Sequence, residues 1–84
     1  MQYAVELKPR AAQDLWRIPK PEVARIIRAL EQLSNSLKGD VKRLTNFTPE
    51  YRLRVGDYRV LFEIEGQGRV VVYRVRHRKE AYRT

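Results

Sequence analysis

The chain reads as an α+β domain in the order strand, helix, helix, then three strands, with an antiparallel sheet packed against a helical hairpin. Three stretches predict this. Apolar and basic residues alternate from Tyr51 to Val55, Gly56-Asp57 interrupts, and a second β-rich run follows from Tyr58 to Ile64. Alternation of this kind is the period of a strand with one buried face. Val23, Ile26, Ile27, Leu30, Leu33 and Leu37 recur at helical intervals, the apolar stripe of an amphipathic helix. Arg69 to Arg76 is a last run rich in Val, set off by Glu65-Gly66-Gln67-Gly68.

Taken in order, residues 2–7 form a first strand with Tyr3, Val5 and Leu7 on one face. Pro9 suits the first turn of a helix, where its missing N–H costs nothing. Ala11, Ala12, Leu15 and Ile18 carry that helix, with Trp16 on its flank. Pro19-Lys20-Pro21 ends it, because a residue before Pro is pushed out of the α region. Pro21 sits just inside the second helix, whose wet side holds Arg25, Arg28, Glu31 and Gln32. A connection this tight predicts an antiparallel pair of helices, with the sheet as the partner of their apolar face. Trp16 and the stripe of residues 23–37 are either core or a docking surface. Ser34 to Glu50, with Gly39-Asp40, Asn46 and Thr48-Pro49, reads mostly as loop, and Lys42, Arg43 and Leu44 as a short extension of structure.

Gly56 at the first central position of a two-residue turn suits type II′, which fixes the register of the strands it joins. Val55 then faces Tyr58, Arg54 faces Arg59, Leu53 faces Val60 and Arg52 faces Leu61. Leu53, Val55, Tyr58, Val60 and Phe62 fall on one side; Arg52, Arg54 and Arg59 fall on the other. Like charges directly opposite destabilise a sheet, so the pairing of Arg54 with Arg59 points to a bound polyanion. A two-residue turn at Gly66-Gln67 puts Val71 opposite Phe62 and Arg74 opposite Arg59, and makes Arg54, Arg59 and Arg74 a row across three strands. Arg74 is otherwise a structural partner for an acidic side chain. The same register sets Arg69 beside Ile64 and predicts fraying there.

Composition bounds the function. Residues 1–84 make one domain with room for one modest core. The absence of Cys excludes disulfides and thiolate metal sites, and a single His argues against structural zinc. No metal or other cofactor is expected. The N-terminus is too short and too interrupted by charge for a signal peptide, and no apolar run approaches membrane-spanning length, so the expected location is cytoplasmic. Eighteen Lys plus Arg against ten Asp plus Glu give a net charge of +8, with the excess concentrated from Lys38 onward. Arg outnumbers Lys, and the planar guanidinium fork suits phosphate. Nucleic acid or an acidic protein is the implied partner.

The element order, the run Tyr51-Arg52-Leu53-Arg54-Val55-Gly56-Asp57-Tyr58-Arg59-Val60 and the ending His77-Arg78-Lys79-Glu80-Ala81-Tyr82 resemble the RelE/ParE toxin superfamily across essentially the whole chain. RelE-like members are toxins of type II toxin–antitoxin pairs that cut messenger RNA in the ribosomal A site. ParE-like members share the fold and poison DNA gyrase without ribonuclease chemistry. The central run occurs in both branches; the basic tail with an Arg and a following Tyr points to RelE. The resemblance implies a ribosome-dependent mRNA endonuclease, neutralised in a hetero-oligomeric complex by a RelB-like antitoxin, acidic and rich in helix. It implies basic catalytic residues at Arg52 and Arg54, a phosphate-binding Arg at Arg59, a further functional Arg at Arg78 and a base-stacking Tyr at Tyr82. Lys often holds the first two of these positions in the family; here both are Arg.

That departure bears on the chemistry. RNA is cleaved without metal when its 2′-hydroxyl attacks the adjacent phosphate, leaving a cyclic phosphate and a free 5′-hydroxyl. The reaction needs in-line placement, stabilisation of charge on the phosphorane and two proton transfers. Arginine suits the electrostatic part and is a poor proton-transfer group. His77 is the only side chain whose unperturbed pKa lies near neutrality; it is either the acid or base of the reaction or a tail residue without that duty. Lys42, Arg43, Lys79 and Arg83 are expected phosphate or ribosomal-RNA contacts, with Arg74 beside them if the arginine row forms.

Overall fold

The two-residue turn at Gly56-Asp57 joins two neighbouring strands of one five-stranded sheet. The computed structural model describes residues 3–36, 39–46 and 48–80. Within them the elements are β1 (Ala4–Leu7), α1 (Pro9–Trp16), α2 (Lys20–Ser36), β2 (Asp40–Arg43), β3 (Tyr51–Val55), β4 (Tyr58–Glu65) and β5 (Arg69–His77). The strand order across the sheet is β1-β5-β4-β3-β2. Every neighbouring pair is antiparallel except β1 with β5, which is parallel. Gln2 and Leu37, at the ends of the expected first strand and second helix, lie outside the described residues.

The β3–β4 hairpin has the register that the turn dictates: Val55 opposite Tyr58, Arg54 opposite Arg59, Leu53 opposite Val60 and Arg52 opposite Leu61. Gly56 has φ of 58°, and Asp57 stays out of the positive region, the pattern of a II′ turn. Leu53, Val55, Val60 and Phe62 are buried together with Val70, Val72 and Val75 of β5, Ile26, Leu30 and Leu33 of α2, and Ala11 of α1. Each fully buried Val, Leu, Ile or Phe contributes about 1.5–3 kcal/mol relative to exposure. This cluster is what the helices and the sheet share.

The helices start and stop where proline chemistry places them. Lys8 is extended at φ −68° and ψ 155°, and Pro9 opens α1. The last turn tightens, with Arg17 N–H reaching the Asp14 carbonyl at 3.1 Å and Ile18 N–H that of Leu15 at 3.3 Å. The Pro19 carbonyl then accepts from Glu22 and Val23 N–H, both at 3.0 Å, which begins α2. Trp16 is 89% exposed, so it is not core. It borders a surface recess of about 370 Å³ with Leu7, Leu15, Ile18, Lys20 and Val23.

Two parts of the sheet depart from the sequence reading. The short extension expected at Lys42, Arg43 and Leu44 is the edge strand β2, which begins earlier, at Asp40, in the expected loop, and pairs with β3 so that Asp40 faces Arg54, Val41 faces Leu53 and Lys42 faces Arg52. Gly39 allows this strand to lie close. Its φ is 134°, and a Cβ there would come within 2.7 Å of Leu53 Cδ1.

The second departure is the β4–β5 register. The turn holds three residues, Gly66 to Gly68, so Glu65 faces Arg69 and Phe62 faces Val72. A bulge then leaves Tyr73 without a cross-strand partner, so Leu61 faces Arg74, Val60 faces Val75 and Arg59 faces Arg76. Each feature moves the pairing by one residue. Arg74 therefore does not stand opposite Arg59; Arg76 does. Arg69 meets Glu65 at 3.0 Å and not Ile64, so the expected cause of fraying at this turn is absent.

Candidate anion-binding site

On the face of the hairpin away from the helices, Lys42, Leu44, Thr45, Arg52, Arg54, Arg59, Arg78 and Lys79 line an open concavity of about 590 Å³. Four pieces of chain supply its cations: β2 gives Lys42, β3 gives Arg52 and Arg54, β4 gives Arg59, and the segment after β5 gives Arg78 and Lys79. No contributed side chain in this set is acidic. The alternation of the strands makes this arrangement. In β3 and β4 the alternate positions, Arg52, Arg54, Arg59 and Leu61, point away from the core, and all but Leu61 are arginines.

Arg59 is held from behind. Its Nη1 donates to the Gly56 and Tyr58 carbonyls, both at 3.0 Å. Among the described residues it makes no ion pair, so its charge is directed at the concavity without a counter-ion. Arg52 and Arg54 share one carboxylate. Arg54 Nε lies 2.6 Å from Asp40 Oδ2, and Arg52 Nη1 lies 3.0 Å from the Asp40 carbonyl oxygen and 3.4 Å from Oδ1. The cost of setting Arg54 opposite Arg59 is thus partly offset within the chain. Arg52 is nearly enclosed, its side chain only 13% exposed, and is fixed in direction. The tail docks on the same turn: Arg78 N–H donates to the Asp57 carbonyl at 2.7 Å, and Arg78 Nε lies 3.9 Å from Asp57 Oδ1.

Of the residues singled out from the sequence, Arg52, Arg54, Arg59, Arg78, Lys42 and Lys79 come together here. His77 does not line the concavity. It faces Tyr58 across the β4–β5 pair, and the two rings meet edge to face with centroids 5.6 Å apart. Its Nδ1 accepts the Lys79 N–H at 3.3 Å. Arg43 pairs with Glu50 at 3.5 Å and lines a neighbouring recess with Asn46 and Thr48. Tyr82 and Arg83 lie outside the described residues.

Arg74 has the structural role. Its Nε and Nη2 donate to Asp14 Oδ2 and Oδ1 at 2.8 and 3.0 Å, and Val75 N–H donates to Oδ2 at 2.9 Å. Burial pushes the Asp14 carboxyl up, but the Arg74 hydrogen bond, the Val75 N–H and the charges of Arg74 and Arg76 outweigh it and hold the carboxyl below its ordinary value. The Asp14 hydrogen bond in turn raises the Arg74 guanidinium against the opposing effect of its burial. A cation so engaged is not offered to a ligand.

Three contributors, Asp40, Leu44 and Thr45, are not singled out by the sequence. Asp40 is invisible while the start of β2 reads as loop. Leu44 and Thr45 carry no chemical signal of their own. The turn and the bulge also hide that Arg76 stands opposite Arg59, although Arg76 pairs with Glu80 at 3.9 Å and does not line the concavity. What the assembled site can do is bind phosphate oxygens through several fixed guanidinium forks and stabilise charge that develops on them.

Similar sequences and the same fold occur in known proteins. A family model described as ParE toxin of type II toxin–antitoxin system, parDE, matches residues 5–82. Toxin RelE3 of Methanocaldococcus jannaschii is 36% identical over 75 residues, which cover 83% of this chain and 84% of that protein. The crystal structure of the toxin–antitoxin complex RelBE2 from Mycobacterium tuberculosis contains a chain that superposes with a TM-score of 0.79 at 28% identity, covering 92% of this chain and 99% of that one. The RelB–RelE antitoxin–toxin complex from Methanococcus jannaschii gives a TM-score of 0.76 at 31% identity, covering 92% and 94%.

Proposed function

The chain belongs to the RelE/ParE superfamily and is a RelE-like toxin of a type II toxin–antitoxin system, and from that premise we propose that it is a ribosome-dependent mRNA endonuclease. The observation that carries this reading is the concavity in which Arg52, Arg54, Arg59 and Arg78 converge from separate elements. Arg59, rigidly held and without an ion pair among the described residues, stabilises the charge that builds on the phosphorane oxygens. Arg52, Arg54 and Arg78 fix the scissile phosphate for in-line attack by the 2′-hydroxyl. Tyr82 stacks on a base, as single-stranded RNA is commonly held. Lys42, Arg43, Lys79 and Arg83 extend the cationic surface toward RNA, while Arg74 is committed to Asp14.

The toxin works in the cytoplasm, where ribosomes and mRNA are, and an acidic, RelB-like antitoxin neutralises it in a hetero-oligomeric complex. RelB partners accompany the solved neighbours. The test is a translation reaction with purified toxin and ribosomes stalled at known codons, followed by mapping of mRNA ends. Cuts confined to the A site support the reading. A family model described as ParE toxin also matches, and the second reading is a ParE-like inhibitor of DNA gyrase without nuclease activity. Inhibition of supercoiling with intact mRNA would establish that alternative.

A further inference from the structure

The proton transfers of the proposed cleavage still lack carriers. Arginine is a poor proton-transfer group, and Arg52 and Arg54 both already bind Asp40. His77 lies against Tyr58 and not in the concavity. Two side chains that do line it are amines: Lys42, from β2 and directly opposite Arg52, and Lys79, from the segment after β5. Neither makes an ion pair among the described residues. An amine, unlike a guanidinium, is a group that serves enzymes as a general base. The charged groups around the pair are Arg52, Arg54, Arg59 and Arg78, with Asp40 and Asp57 at the border.

We infer that Lys42 and Lys79 are the acid–base pair of this site, an assignment that rests on the endonuclease reading. One enters the reaction as the free amine and takes the proton of the 2′-hydroxyl as that oxygen bonds to phosphorus. The other enters as the ammonium and gives its proton to the 5′-oxygen as the bond from phosphorus to that oxygen breaks. The products are a 2′,3′-cyclic phosphate and a 5′-hydroxyl. The two lysines end with their protonation states exchanged, and solvent resets them.

Arginine at either position keeps the charge and removes the proton transfer, so Lys42→Arg and Lys79→Arg separate this role from binding. On programmed ribosomes under single turnover, each variant should cleave about a hundred- to ten-thousand-fold more slowly than the parent, with ribosome affinity unchanged and the fold intact by circular dichroism. A substrate with sulfur in place of the bridging 5′-oxygen expels a thiolate that needs no proton. It should restore the variant of the lysine that acts as acid, and not the other. Parental rates in both arginine variants, or slow variants of which neither or both are restored by sulfur, would overturn the assignment while leaving the endonuclease standing. No cleavage by the parent would overturn the endonuclease reading itself, and this assignment with it.

Discussion

Asp14 of α1 and Arg74 of β5, sixty residues apart, form a two-point ion pair at 2.8 and 3.0 Å, and the same carboxylate accepts the Val75 N–H. β1 pairs with β5 only as far as Leu7 opposite Val72. Beyond that point the outer edge of β5 would face solvent, and Asp14 closes it from the helix. An open edge is a template for unwanted strand pairing, so one side chain both anchors α1 and protects the sheet.

Asp14→Asn should therefore destabilise the fold by roughly 2 kcal/mol at neutral pH, the scale of charge-assisted hydrogen bonds left unmade. Because the folded carboxyl is held below its ordinary value, its contribution is fully present above the unfolded value of about 4 and is lost as pH falls through the lower folded value. Urea denaturation of parent and variant should show a gap at pH 7 that closes in acid. A gap that persists unchanged at low pH would mean that packing, and not the charge, was removed.

Arg59→Ala should leave the domain folded, with stability changed by about 1 kcal/mol. Relief from Arg54 and Arg76 opposes the loss of two hydrogen bonds to the turn carbonyls. Cleavage should fall about a hundred- to a thousand-fold, the effect of deleting one preorganised donor to a developing oxyanion, and toxicity should go with it. A folded variant as toxic as the parent would remove Arg59 from the site.

How much of the fold and site is legible in the sequence depends on where strand registers are written. Gly56-Asp57 specifies its turn by residue type, and that alone places Arg52, Arg54 and Arg59 on one face. The stretch Gly66-Gln67-Gly68 is compatible with two turn lengths, and nothing about Tyr73 marks a bulge. Arg76 stands opposite Arg59 in place of Arg74 as a result. β2 shows only as a short extension at Lys42, Arg43 and Leu44, because it has four residues and one apolar side chain, Val41, and is an edge strand by virtue of its pairing alone. Asp40, the carboxylate that sets the directions of Arg52 and Arg54, falls outside that extension.

Trp16 gives a prediction about the antitoxin. A tryptophan 89% exposed beside an apolar recess contributes little to folding and much to an interface. Trp16→Ala should leave the melting temperature unchanged and weaken antitoxin binding by about 2 kcal/mol, or thirtyfold, in titration calorimetry. Unchanged affinity would put the antitoxin on the basic face, where added salt should then weaken it strongly.

His77 and Tyr82 separate catalysis from the mere holding of a polyanion. If His77 transferred a proton, His77→Gln would slow single-turnover cleavage by two orders of magnitude or more. Its ring instead lies against Tyr58, and its Nδ1 accepts the Lys79 N–H, an acceptor role that a Gln side-chain oxygen can repeat. His77→Gln should thus cleave within about tenfold of the parent. The ratio of the two rates should stay flat from about pH 6 to 8, the window in which a titrating imidazole would bend it. Tyr82→Phe should keep most activity and Tyr82→Ala should lose it, if stacking on a base is what the ring supplies. A large, pH-dependent defect in His77→Gln would return the proton to the imidazole and require the tail to move toward the concavity when RNA binds.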